Sequence, residues 1–161
     1  MALCQKTGDK FSLRIVIYRL GVNNLYLGNY EEGRRDLEES LILAQQLQDP
    51  ARISESQGAL ALHATRIEGA YDEARVLAKK SLALARSINH PSSMTRALIA
   101  LGEVACWEER YDRALGRAEE SLQIMAMKGE SELIHLGRNL LSLQSGIASR
   151  VLFRIFLRIH S

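Results

Sequence analysis

The sequence predicts an all-α fold built from stacked antiparallel helix–turn–helix units. Three observations carry that prediction. The composition suits helices: two Pro, 6% aromatic residues and abundant Ala, Leu, Glu and Arg favour helix over sheet. The chain also repeats itself. LGNYEEGRRDLEESLILAQQLQDP at 27–50, EGAYDEARVLAKKSLALARSINHP at 68–91 and EERYDRALGRAEESLQIMAMKGES at 108–131 share one pattern, spaced by 41 and then 40 residues. Tyr30, Tyr71 and Tyr111 correspond, as do Gly33, Ala74 and Ala114, and Ser40, Ser81 and Ser121. Within each copy, finally, the apolar residues fall at helical spacing. At 161 residues, 47% hydrophobic and 25% charged, the chain is long enough for a single domain with a real core.

The elements follow in order. Residues 1–9, MALCQKTGD, align with LILAQQLQD, LALARSINH and LQIMAMKGE, each the last turns of a second helix. They are expected to be the end of a truncated preceding repeat. If Met1 is the true start, the first full helix pair should expose an apolar face at Ile15, Ile17 and Leu20, open to self-association. Full repeats are predicted at 9–49, 50–90 and 91–130. Pro50 and Pro91 suit the first turn of a first helix. Gly28 and Gly69 stand where a first helix must end and can cap it. In the third copy, Met94, Ala97, Leu98, Leu101, Ala105 and Trp107 mark the first helix; Tyr111, Ala114, Leu115, Ala118, Leu122 and Met125 mark the second. The middle copy carries one extra residue between Pro50 and Tyr71. Residues 131–161 read as a degenerate fourth repeat or capping helices, because ELIHLGRNLLSLQSG fits the pattern and ASRVLFRIFLRIHS lacks its Tyr and small residues.

One hairpin of this kind cannot bury its apolar stripe alone, so neighbours must stack into a quasi-linear core. The small residues at 33/74/114 and 40/81/121 would let helix backbones approach, and the tyrosines would fill the gap at each turn.

These segments resemble tetratricopeptide repeats, and more narrowly the long variant of about 40 residues. The resemblance covers about residues 9–131, with three copies in one register. There are departures: Leu62 stands where Gly21 and Gly102 stand, and Glu109 replaces the Gly of positions 28 and 69. HEAT-type repeats have a similar period but would not explain the GNY and GAY turns. The resemblance implies a right-handed superhelix that binds a peptide, a protein or a small effector on its concave side. Such arms are typical of bacterial ATP-dependent transcriptional activators and of animal polarity scaffolds. The implied function is a non-catalytic protein- or peptide-binding module of a larger signalling regulator or scaffold. The alternative is the small-effector-sensing arm of a transcriptional regulator.

In that family the first helix of each pair lines the concave face. Carried onto this chain, that face comprises Ile15, Tyr18, Val22 and Tyr26; Ser56, Ala59, His63 and Arg66; Arg96, Ile99, Glu103 and Trp107; and Leu136, Asn139 and Leu143. The residues expected to meet a partner are Tyr18, Val22, Tyr26, His63, Arg66, Arg96, Glu103, Trp107 and Asn139. Aromatic and Arg residues carry much of the energy of protein interfaces, which suits a partner helix or extended peptide. The competing role for Tyr18, Tyr26 and Trp107 is packing between neighbouring helices.

No residue set points to a reaction, and no cofactor or metal is expected. His63, His90, His135 and His160 have no metal-ligand spacing. The carboxylates of the second helices alternate with Arg as on a solvated, salt-bridged face. There is no Gly-rich phosphate loop and no Gly-x-Ser-x-Gly. Cys4 and Cys106 make no disulfide framework and fit a reducing, cytoplasmic setting. Lys6, Asp9, Lys10 and Arg14 interrupt any apolar leader, and no run of about 18 apolar residues exists. The net charge of +2 is too small to argue for nucleic acid. The tail at 149–161 is different: Arg150, Arg154 and Arg158 form a basic stripe on an otherwise apolar segment. Its candidate roles are a cap, a sticky end for a partner or a second copy, or a membrane-surface contact.

Overall fold

A computed structural model of the chain describes residues 9–67 and 69–126. The expectations for the opening segment 1–8, for Asn139, Leu136 and Leu143, for the fourth repeat and for the basic tail lie outside those residues. Among the described residues the fold is all-α: α1 Lys10–Leu27, α2 Tyr30–Gln46, α3 Pro50–Ala64, α4 Tyr71–Ser87, α5 Pro91–Trp107 and α6 Tyr111–Ala126, with no strand. The helices form three consecutive pairs, α1 with α2, α3 with α4 and α5 with α6.

Local chemistry sets the helix ends. Asp9 caps α1, accepting from the backbone N–H of Phe11 and Ser12, each at 3.1 Å. Asp49 caps α3 through the N–H of Arg52, and Pro50 and Pro91 occupy the first turns of α3 and α5. Gly28 ends α1 with φ +83°, where its N–H and that of Asn29 close back on the last turn. Gly69 takes φ +85° in the turn after α3. The second helices start with acids, Glu31 and Glu32 in α2 and Asp72 and Glu73 in α4, which complement the helix dipole.

Each helix packs on the next along the chain. Leu37, Leu98 and Ile17 are fully buried, and each such side chain contributes roughly 2 kcal/mol of transfer free energy. Burial of Ile17 corrects the expectation that it lies on an open terminal face. Of that trio only Leu20 is exposed, because Ile17 turns toward the core and Ile15 is half covered. The small residues of the repeat act as expected: Gly33, Ala74, Ala114, Ser40, Ser81 and Ser121 are all buried. The serines spend their hydroxyls inside the fold. Ser40 Oγ meets Ser56 Oγ at 3.1 Å, Ser81 donates to the Ser54 carbonyl, and Ser121 donates to that of Ala118.

The turn tyrosines lean on the next first helix rather than disappearing into a gap. Tyr30 meets His63 edge-on at 6.0 Å between centroids. Tyr71 stacks on Trp107 at 5.2 Å. The molecule therefore has two layers, first helices α1, α3 and α5 and second helices α2, α4 and α6. The first-helix layer is the closer one: α3 packs directly on α5, and α1 more lightly on α3, whereas the second helices do not pack on one another to that extent. The outer gaps are bridged by ion pairs instead, Arg34 with Glu73 at 2.8 Å and Arg86 with Glu120. Exposed pairs of this kind contribute roughly 0–1 kcal/mol each, so apolar packing decides the arrangement.

Candidate functional site

The first helices align from their starts, and this alignment fixes which side chains share a face. Counting from Lys10, Pro50 and Pro91, one position holds Ile15, Glu55 and Arg96. The next holds Tyr18, Gly58 and Ile99, then Val22, Leu62 and Glu103, and finally Tyr26 and Trp107; Arg66, at the same count, lies in the turn beyond the end of α3. The extra residue of the middle copy falls in the turn after Ala64, not inside α3. The expected contributions of Ser56, Ala59 and His63 are therefore wrong by one residue, about 100° around the helix. Ser56 bonds Ser40, and Ala59 packs with Tyr18, Leu37 and Leu60. His63, 1% exposed, donates from Nε2 to the Tyr30 carbonyl at 2.5 Å. It is a buried strut, not a contact for a partner. The same frame puts buried Ala61 at the place of Gly21 and Gly102, so the apparent departure at Leu62 disappears.

The face has an exposed end and a buried middle. Tyr26 and Trp107 are 62% and 52% exposed, and Arg66 stands between them in the repeat order. Arg66 pairs with Glu103 at 3.5 Å, and Glu103 also accepts from the Thr65 hydroxyl. Burial pushes the Glu103 carboxyl above its ordinary range, against the opposing pull of Arg66 and Thr65. Cys106 nearby is half-buried, and burial raises its thiol, helped by Glu103.

The middle of the face is centred on Tyr18. Val22 packs beside it, partly covered. The guanidinium carbons of Arg14 and Arg96 lie 5.7 and 5.8 Å from the Tyr18 ring centroid, within cation–π range. Arg96 reaches that ring from α5 by crossing α3 at Gly58, where a Cβ would lie 3.4 Å from Arg96 Cδ and 3.0 Å from Ser81 Oγ. Arg14, only 2% exposed, pairs with Glu55 at 3.4 Å; Glu55 is shared with Arg52 at 3.1 Å. Burial pushes the Tyr18 phenol up to about 12, so it stays neutral and keeps its proton to donate. Arg14, Glu55 and Gly58 were not anticipated as site residues. Arg14 stands where Ser54 and Thr95 stand in the later copies, and nothing in its sequence neighbourhood marks it as buried. Glu55 and Gly58 follow once the two prolines, rather than the tyrosines, anchor the alignment.

Among the described residues no group of three His, Cys, Asp or Glu side chains gathers as for a metal, and no helix is long and apolar enough to cross a membrane. Comparison with protein-family models and with curated proteins finds no match.

Proposed function

We propose that the chain is a tetratricopeptide-like module of the long type, a right-handed superhelix that binds a peptide or protein segment on its first-helix layer and works within a larger cytoplasmic regulator or scaffold. The closer packing of α1, α3 and α5 supports a concave side there. The observation that carries the reading is the exposed row Tyr26, Arg66 and Trp107. Tyr26 and Trp107 hold one position of the repeat, and Arg66, in the turn after α3, pairs with Glu103 of α5, while the first helices spend their other face on burial. A Tyr, an Arg and a Trp held open in a row are the residue types that dominate binding energy at interfaces. Trp107 is also held in place by its stack on Tyr71, which lowers the entropy lost when a partner covers it. The binding is non-catalytic in this reading.

Selection of peptides from a displayed random library against the purified chain tests it. Enriched peptides should lose roughly tenfold or more in affinity with Trp107→Ala or Tyr26→Ala, with both variants still folded by circular dichroism. Failure to enrich any peptide, or peptides indifferent to both changes, would count against it. One observation favours the alternative, an effector-sensing arm: the part-buried Arg96 has no carboxylate partner among the described residues.

A further inference from the structure

We propose that Arg96 is a positioning residue that straps the third helix pair to the first across the second, and so fixes Trp107 relative to Tyr26. The coupling stands whether or not the exposed row takes a peptide. Stacked repeats ordinarily touch their neighbours alone and unfold through those neighbour contacts. Arg96 departs from that rule. It belongs to α5, yet its guanidinium carbon lies 5.8 Å from the centroid of the Tyr18 ring on α1. α3 stands between the two helices in the layer.

The middle copy makes the crossing possible. Gly58 holds the position that Tyr18 and Ile99 hold in the copies on either side. With no side chain there, the Arg96 stem lies against the backbone of α3: a Cβ on Gly58 would be 3.4 Å from Arg96 Cδ and 3.5 Å from its Cγ. A side chain as large as Tyr or Ile at 58 would fill that path. The Tyr18 ring holds the far end of the strap. Tyr18 is 9% exposed, so water competes poorly for the cation, and such contacts are stronger there than at a surface. Burial raises the Tyr18 phenol, and the Arg96 charge pulls against that rise, the sign expected of a nearby cation. Arg14 also lies against the ring, at 5.7 Å, but it sits on α1 itself and joins no second helix through the ring.

The strap acts where the layer is least firmly packed. α3 and α5 pack directly, whereas α1 packs more lightly on α3. Arg96 spans that lighter joint. The two helices it joins are also the two that carry the exposed aromatics, Tyr26 in the last turn of α1 and Trp107 at the end of α5. Holding α1 against α5 therefore holds these rings at one separation, and loss of the strap frees the lighter joint to open.

Energy transfer from Trp107, the chain's single tryptophan, to a dansyl group on Tyr26→Cys reads that separation in the full chain, with Cys4→Ser and Cys106→Ala keeping the label at one site. The labelled parent should give a narrow distribution of distances. Arg96→Met keeps the stem, removes the charge and should widen the distribution. Tyr18→Leu should widen it too, and the two changes together should widen it no further than either alone. Tyr18→Phe keeps the ring face and should leave it narrow. In urea unfolding, Arg96→Met and Tyr18→Leu should be non-additive, with a coupling of roughly fivefold in the unfolding equilibrium constant. If Arg96→Met does not fold, Tyr18→Leu against Tyr18→Phe decides, because the ring is what separates them. A distribution as narrow in Arg96→Met and Tyr18→Leu as in the parent, or effects of the two changes on unfolding that simply add, overturns the proposal.

Discussion

Glu109 takes φ +57° in the turn after α5, the place held by Gly28 and Gly69 in the earlier copies. A side chain in that region is strained by roughly 1 kcal/mol or more, and glycine is not. Glu109→Gly should therefore stabilise the chain by about 1 kcal/mol in denaturant unfolding, while Gly28→Ala should cost about as much. This departure is legible from the repeat alone, because glycine at a helix end is a local requirement. The titration of Glu103 is not legible, since it depends on burial by other helices. Its carboxyl is raised above the ordinary 4.5, so the folded state holds the proton more tightly than the unfolded chain. The stability this contributes is complete at pH below 4.5 and is lost as pH climbs through 4.5 to the raised value. Glu103→Gln keeps the shape and removes the charge. Relative to wild type it should gain stability between about pH 4 and about pH 7, read from urea midpoints at the two pH values. A gap that stays constant or narrows would mean that the Arg66 pair outweighs the burial of Glu103.

Between elements, α1 and α2 cross tightly at Gly21. A Cβ on Gly21 would lie 2.8 Å from Leu37 Cγ and 3.1 Å from the Gly33 carbonyl oxygen. At the equivalent crossing of α5 and α6, a Cβ on Gly102 would lie 3.7 Å from its nearest neighbour. Gly21→Ala should thus destabilise by roughly 1–3 kcal/mol through overpacking. Gly102→Ala should gain roughly 0.5–1 kcal/mol through helix propensity. Melting curves of the two variants should move in opposite directions. The repeat pattern predicts both glycines at a helix crossing but does not separate them, because their difference lies in the side chain opposite. The register within α3 shows the same limit. Pro50, Gly69 and Tyr71 were readable, but the extra residue between them could be placed only by knowing where α3 stops. That one residue moved the predicted face from Glu55, Gly58 and Leu62 to the buried Ser56, Ala59 and His63.

For the whole molecule, two layers with unequal spacing follow from which residues the repeat puts where. Small residues and apolar side chains draw the first helices together, while the second helices meet neighbouring second helices largely through exposed arginine–carboxylate pairs. The closer layer then carries both an exposed aromatic row and a buried cationic middle. The architecture was legible because three copies in one register over-determine it. The burial of Arg14 was not, because charge in a sequence argues for solvent unless the third dimension is known. The central claim is that the first-helix layer is the binding face, and Trp107, the chain's single tryptophan, reports on it directly. The decisive measurement is its emission during titration with a peptide selected on this chain. A saturable shift in Trp107 emission that tracks the binding isotherm is the predicted result. Saturable binding that leaves Trp107 emission unchanged would contradict the account.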